Sequence, residues 1–303
     1  MSSLAVSNHS PNVGQVLFAG VATVLALPPA LVFAAIGVSM AALLALASLA
    51  ACLISQKSAQ TLRRYAFATL GEGLAKAMGA LLYFIPGTWF DPKAGNGQVP
   101  ILLVPGYLHN SSAWHLFRRK LLSYDKKRLI FTVDLGACPF GKSISTTFLN
   151  KLTKRIQEIK KITGATQIKL VGHSMGGVVS SLYACTQAEK ENPDIRVVSV
   201  VTLGSPLEGS PLAKFAPGEC ARELRKNSEL LRNLSVKIDG CRDRIQFFHV
   251  GSEVDALVSC SSATRNGKTK DVMVLKNLGH VAMKYSPTVM RKVNELLSAS
   301  NPG

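Results

Sequence analysis

The chain begins with a long apolar stretch and continues as short apolar runs that alternate with amphipathic ones. Residues 15–54 are almost wholly apolar, and the first 56 residues contain no Asp, Glu, Lys or Arg. The second lobe of this stretch, Leu31–Ile54, has 24 residues without a charge, whereas a membrane-spanning helix needs about 20. The pattern therefore predicts a membrane anchor over residues 15–56, preceded by a disordered polar leader over residues 1–14.

The proline pair Pro28-Pro29 leaves two topologies open for this anchor, a single span or a tight hairpin. The first charges beyond it, Lys57, Arg63 and Arg64, favour a cytoplasmic face for the domain that follows. Residues 49–52, Leu-Ala-Ala-Cys, resemble a bacterial lipoprotein cleavage box, but the leader before them has no basic residue, so we expect a retained anchor. The two apolar lobes are also similar to those of inclusion-membrane proteins from obligate intracellular bacteria, which would place the domain in a host cytosol.

Residues 57–98 are predicted to connect the anchor to the rest of the chain. Tyr65–Phe90 is rich in alanine, leucine and aromatic residues, and Glu72 and Lys76 have the spacing of an ion pair on a helix surface. This segment fits either a membrane interface or a helix that packs on the following domain. Asp91–Gln98, which contains one proline and two glycines, is typical of a linker.

From residue 99 onward, apolar runs alternate with helical patterns. Strands are predicted at Val99–Val104, Arg128–Val133, Gln167–Val171, Arg196–Leu203, Arg244–Val250 and Val272–Leu275. Helices are predicted at Ala113–Leu122, Ser143–Ile162, Gly176–Gln187, Pro211–Leu234 and Pro287–Leu297. Strands that are apolar on both faces and alternate with helices specify a doubly wound, mostly parallel sheet. We therefore predict an α/β domain with six strands over residues 99–303.

Composition adds a preference for acidic surfaces. The chain of 303 residues has a formal net charge of +17, and its mean hydropathy of +0.21 is high for a purely soluble enzyme. Anionic lipid headgroups and nucleic acids both attract such a charge. No zinc-finger spacing or aromatic–basic RNA-binding pattern accompanies it, so we expect an anionic membrane as partner and no nucleic acid. A merely solvated basic surface is the alternative.

One nonapeptide contains the candidate chemistry. Residues 169–177 read Lys-Leu-Val-Gly-His-Ser-Met-Gly-Gly, a strand followed by Gly-x-Ser-x-Gly and then by a helical run. That order is the context of a nucleophile elbow, a sharp turn that exposes a serine hydroxyl above the sheet. Gly172 and Gly176 leave room for the turn. We predict Ser174 as the nucleophile and place the amide of Met175 at a helix N-terminus, where N–H groups bind anions.

A serine hydroxyl needs a base, and the base needs an orienting acid. When a Gly-x-Ser-x-Gly elbow holds the serine, the acid and then the histidine follow it along the chain. Glu253 and Asp255 follow the strand Arg244–Val250, and Asp255 is preferred because Asp-x-x-Val here resembles the common hydrolase arrangement. His280 is the only later histidine in a loop that follows a strand, since His249 lies within a strand.

Four segments together resemble the α/β-hydrolase superfamily, and within it bacterial triacylglycerol lipases and GPI-inositol-deacylase-like lipases. They are Leu-Leu-Val-Pro-Gly-Tyr at 102–107, the elbow, Thr-Leu-Gly-Ser-Pro-Leu-Glu-Gly-Ser at 202–210, and Leu-Gly-His at 278–280. The resemblance implies an oxyanion hole formed by the amides of Tyr107 and Met175. Two residues depart from the pattern, because Pro105 and Leu207 stand where these lipases have histidine.

The residues and the resemblance predict a membrane-anchored serine hydrolase, a lipase or esterase that cleaves acyl esters of lipids. Such a triad needs no metal and no organic cofactor. Two alternatives stay open. One is an acyltransferase or protein thioesterase with the same triad, and the other is a non-catalytic membrane tether that keeps the fold for binding. Residues 211–234, with apolar side chains set among charges, fit either a lid or an ordinary cap helix.

Overall fold

The computed structural model describes residues 59–82, 85–136, 141–265 and 272–299. The predicted leader and membrane anchor, residues 1–56, lie outside these ranges. Within the described ranges, no helix is both long and apolar enough to cross a bilayer. The described chain therefore starts with the predicted connector.

The described residues form one six-stranded sheet in which every neighbouring pair is parallel. The strands are β1 (Ile101–Val104), β2 (Ile130–Thr132), β3 (Gln167–His173), β4 (Arg196–Leu203), β5 (Gln246–Ser252) and β6 (Val272–Leu275). Their order across the sheet is β2-β1-β3-β4-β5-β6, which confirms the predicted doubly wound sheet. The order reverses between β1 and β3, and open α/β sheets bind ligands outside the carboxyl ends of strands at such a point.

Helices cover both faces of this sheet. In the described part of the chain they are α1 (Ala59–Leu82), α2 (His115–Tyr124), α3 (Leu149–Thr163), α4 (Met175–Ala188), α5 (Glu219–Glu223), α6 (Glu229–Gly240), α7 (Cys260–Thr264) and α8 (Pro287–Ala299). Helices α3, α4 and α6 contribute to one apolar core, and α2 and α8 contribute to the other. The short helix α7 was not predicted.

Successive strand residues enter the two cores in turn. Leu102 and Leu170 belong to the core under α3 and α4, whereas Leu103 and Val171 belong to the core under α2 and α8. All four side chains are fully buried. Because both faces of β1 to β5 are largely covered, these strands are mostly apolar and do not alternate regularly with polar residues.

The helix predicted over Pro211–Leu234 is interrupted. The segment forms a 3-10 turn at Pro211–Lys214, then α5, then the first part of α6. Gly218 has φ 94° and Asn227 has φ 61°, and a residue with positive φ cannot continue a right-handed helix. Ser228 then begins α6, because its hydroxyl accepts a hydrogen bond from an amide of the first turn.

The apolar side chains of this segment divide between the core and the surface. Leu224 and Leu231 are buried in the core under α3 and α4, whereas Phe215 is 85% exposed. The part formed by α5 and α6 is therefore packed as a cap on the sheet, and the exposed aromatic residue lies just after the 3-10 turn.

Helix α1 packs on the domain through small side chains. Ala68 and Ala75 are buried, and Ala75 forms an apolar cluster with Val281 and Ala282. Of the two interpretations of this segment, the structure supports a packed helix for this face. A second face exposes four large apolar residues, each between 40% and 67% exposed: Phe67, Leu70, Leu74 and Met78.

The predicted linker begins at a buried ion pair. Asp91 is 8% exposed, and its carboxylate contacts the guanidinium groups of Arg118, at 2.9 Å, and Arg155. It also accepts a hydrogen bond from the Thr132 amide at 3.2 Å. Burial raises the pKa of Asp91, while the two arginines act in the opposite direction. The Asp91 carboxylate therefore binds the connector to β2.

Candidate active site

Ser174 lies in a strained turn between β3 and α4. Its backbone has φ 55° and ψ −128°, a conformation that costs a residue with a side chain about 1–3 kcal/mol. The turn requires glycine at Gly172, where a Cβ atom would lie 2.5 Å from Gly177 Cα. A Cβ atom on Gly176 would collide with the carbonyl group of Val104. Glycine at position 172 therefore lets the start of α4 approach the turn, and glycine at position 176 lets the same helix approach the end of β1.

The loop after β1 lies directly beside this turn. Val104 of β1 is paired with Gly172 of β3, so the residues that follow the two strands leave the sheet side by side. A Cβ atom on Gly106 would come within 2.8 Å of the serine Cβ atom, which is why the loop needs glycine there. Tyr107 follows this glycine, and Met175 follows the serine. The two amides predicted for the oxyanion hole thus lie in the segments that leave two neighbouring strands.

Asp255 and His280 form a hydrogen-bonded pair. His280 Nδ1 lies 2.7 Å from Asp255 Oδ2, and the two side chains are only 4% and 0% exposed. Asp255 Oδ1 accepts the amides of Leu257 at 2.8 Å and Val258 at 3.0 Å. Because an ionised carboxylate can only accept, Nδ1 donates and Nε2 is left as the basic nitrogen. Glu253, the other acid of this loop, is exposed.

The imidazole of His280 lies against the residue that precedes Ser174. The ring centroids of His173 and His280 are 4.8 Å apart. The Ser174 amide donates to the carbonyl of Leu203 at 2.9 Å, and a Cβ atom on the next residue, Gly204, would lie 3.2 Å from His280 Nδ1. Serine and histidine thus approach the same strand end. Among the described residues no hydrogen bond joins Ser174 Oγ to His280, and such bonds are often long before substrate binds.

Two further histidines support this arrangement, and sequence reasoning did not assign them a role. His173 Nε2 lies 3.0 Å from the carbonyl oxygen of His280, to which it donates. Burial lowers the pKa of His173 well below its usual value, so the ring is neutral. His109 Nδ1 lies 3.0 Å from the carbonyl oxygen of Tyr107, and burial lowers its pKa to about 3. The sequence offered one indication of a role for His173, which is that a histidine ends an otherwise mostly apolar strand.

The two departures from the lipase pattern have structural consequences. Leu207 is 1% exposed and belongs to the core that also contains Met175. The apolar side chain of Leu207 therefore packs in the core that extends to the elbow. Pro105 is buried at the end of β1, and it lacks only its own amide hydrogen, so the amide of Tyr107 is retained.

A cavity of about 280 Å³ adjoins the Asp255–His280 pair. One wall consists of the loop that contains Asp255, together with Gly279. The other wall is α1, through Tyr65, Thr69 and Glu72. Residues of the connector therefore line a space next to the predicted base.

The sheet and the turn at its carboxyl edge define the class of fold. A family model described as the alpha/beta hydrolase fold matches residues 99–233. The chain has the α/β-hydrolase fold, as the four sequence segments predicted.

The relatives of the chain include bacterial lipases. It is 27% identical over 172 residues to a triacylglycerol lipase of Burkholderia plantarii, which covers 53% of this chain and 44% of the relative. It is 35% identical over 129 residues to a triacylglycerol lipase of Pseudarthrobacter phenanthrenivorans, which covers 39% of this chain and 36% of the relative. The matched part is thus less than half the length of either relative. The predicted resemblance to bacterial lipases is confirmed.

A solved structure shows the same fold. The mature form of the Bacillus licheniformis lipase BlEst2 superposes with a TM-score of 0.56 at 19% identity. The superposition covers 70% of this chain and 98% of that one.

The two acids of the β5 loop provide a matched test of the site. Asp255→Asn should slow the reaction of the protein with a fluorophosphonate, by as much as about 10⁴-fold, because an amide cannot hold the histidine in the basic tautomer. Glu253→Gln should leave the rate unchanged, since Glu253 is exposed. The rate is measured as the appearance of the phosphonylated protein by intact mass. A slow Glu253→Gln variant beside a normal Asp255→Asn variant would contradict the assignment.

Proposed function

We propose that this chain is a membrane-associated serine hydrolase, a lipase or esterase that cleaves acyl esters of lipids. The observation that carries the proposal is the 2.7 Å bond between Asp255 and His280 at the sheet edge that holds Ser174. The triacylglycerol lipases among its relatives support a lipid ester as substrate.

The proposed reaction starts with proton transfer from Ser174 Oγ to His280 Nε2. The oxygen attacks the ester carbonyl as the proton leaves, and the Asp255 carboxylate stabilises the resulting imidazolium. The imidazolium then donates its proton to the departing alcohol. Water, activated by the same nitrogen, releases the fatty acid and restores the serine.

The amides of Tyr107 and Met175 are proposed to bind the oxyanion. Each such donor contributes roughly 3–4 kcal/mol of transition-state stabilisation in hydrolases of this kind. His109 supports this role, because its bond to the Tyr107 carbonyl holds the neighbouring backbone in one orientation. Met175 is the first residue of α4, and the amides of a first helical turn have no partner within the helix.

Three features support a location at a membrane. Residues 15–54 are almost wholly apolar and carry no charge, the net charge is +17, and α1 exposes an apolar face. We propose that residues 1–14 form a leader and residues 15–56 an anchor. Residues 57–98 then connect the anchor to a catalytic domain over residues 99–303. The basic residues after the anchor favour the cytoplasmic side.

Product analysis on lipid vesicles tests the function. Wild-type protein should release fatty acid from vesicles that contain triacylglycerol or phospholipid. Ser174→Ala should lose this activity by about 10⁴-fold or more, because the nucleophile is removed. Chromatography of the extracted lipids measures the fatty acid that wild-type protein and Ser174→Ala release.

The products also separate the alternatives. Acyl groups that appear on an added alcohol in preference to water would indicate an acyltransferase, and release only from acylated protein would indicate a thioesterase. A Ser174→Ala variant that is as active as wild type in a cellular assay would indicate a tether without catalysis.

A salt wash of vesicles tests the membrane anchor. The full chain should stay bound to anionic phospholipid vesicles in 1 M salt, because an inserted apolar segment does not depend on charge. The variant Leu43→Arg/Leu46→Arg should bind much less, since each arginine costs about 2.5–3.5 kcal/mol at the centre of a span. Sedimentation with the vesicles measures the bound fraction.

The control is Val236→Arg, which adds a charge at a residue that is 73% exposed and should bind like wild type. Release of wild-type protein by salt would contradict the anchor. It would leave surface charge as the cause of binding, because the screening length at 1 M is only about 3 Å.

A further inference from the structure

The carboxylate of Glu72 is buried at the interface between α1 and the loop that contains His280. Glu72 is 8% exposed, and its Oε2 accepts the amides of Val281 at 2.8 Å and Ala282 at 3.1 Å. These residues directly follow His280 and start the 3-10 turn Ala282–Tyr285. Amides at the start of a helical turn have no partner within it. Glu72 supplies that partner from 209 positions away.

Gly279, the residue before His280, lies close to the Glu72 side chain. A Cβ atom on Gly279 would lie 2.6 Å from Glu72 Oε2 and 2.9 Å from Glu72 Cβ. Glycine at this position therefore lets α1 approach the loop. The other carboxylate oxygen, Oε1, lies 3.5 Å from Lys76 Nζ on the same helix. Glu72 thus contacts the chain on both sides of His280.

The histidine is then held at three points. Asp255 binds its ring, His173 donates to its carbonyl oxygen, and Glu72 accepts the two amides that follow it. Without Glu72, two amides buried under α1 would have no acceptor, and the loop would move to find one. A shift of about 1 Å in a catalytic group can cost on the order of 10²-fold in rate.

We propose that Glu72 is a positioning residue for His280, so that α1 is part of the catalytic unit although it precedes the α/β-hydrolase fold in the chain. The proposal rests on the proposed function, in which His280 is the base. It assigns to the connector a role in catalysis in addition to joining two parts of the chain.

Three variants of the full chain test the proposal with a soluble p-nitrophenyl ester. Glu72→Ala should lower kcat by about 10- to 100-fold with little change in KM, because the base is displaced while the ester site stays open. Glu72→Gln should retain most of the activity, since one amide oxygen can accept both bonds that Oε2 accepts. Lys76→Ala, which removes the ion pair and leaves the two bonds to Glu72 Oε2 in place, should behave like wild type.

The comparison is made below the thermal midpoint of every variant, with the folded fraction measured by circular dichroism. A Glu72→Ala variant that melts earlier but keeps the wild-type kcat would show a purely structural role and overturn the proposal. Equal losses in Glu72→Gln and Glu72→Ala would also overturn it, because the charge would then matter and the acceptor geometry would not.

Ser174→Ala separates this inference from the proposed function. If Ser174→Ala hydrolyses the ester as fast as wild type, the proposed function fails. If Ser174→Ala is inactive and Glu72→Ala has the wild-type kcat, only the role of Glu72 fails.

Discussion

The sharp turn at Ser174 is the constraint on which the rest of the site depends. A positive φ at a residue with a side chain is unfavourable, and it is kept here because the neighbouring chain packs tightly around it. Gly172 and Gly176 let α4 and β1 close on the turn, and Gly106 lets the next loop approach the serine. Since all neighbouring strands are parallel, the loops after β5 and β6 reach the same edge. The loops that contain Asp255 and His280 therefore lie at the same edge of the sheet as Ser174.

Much of this arrangement could be predicted from local patterns. Strands β1 to β5 are largely buried on both faces, so each is a short, mostly apolar run. The predicted bounds of β4 and β6 agree with the structure to the residue. The glycine spacing of the elbow reflects a steric need that any chain with this turn shares. The acid and the histidine follow successive strands, which is why the sequence predicts the Asp255–His280 contact. The predicted membrane anchor lies in residues that the structure does not describe.

The remaining features depend on contacts between distant parts of the chain. The break at Asn227 is a single positive φ within an otherwise helical pattern, and asparagine alone does not identify it. Glu72 has the spacing of a surface ion pair with Lys76, yet its carboxylate is turned toward amides 209 positions later. His173 similarly bonds a carbonyl group that lies 107 positions away. No local pattern specifies such partners, because they arise only when α1 and the last loops fold onto the sheet.

In the proposed reaction, Ser174 attacks the acyl group of an ester with His280 as its base. To test this step, the protein is mixed with an excess of p-nitrophenyl ester and the reaction is quenched with acid within milliseconds. The quenched protein is then digested, and its peptides are analysed by mass spectrometry. We expect a burst of nitrophenol close to one equivalent of protein, and an acyl group on the peptide that contains Ser174. Steady turnover in which the only acyl group lies on another residue would contradict it.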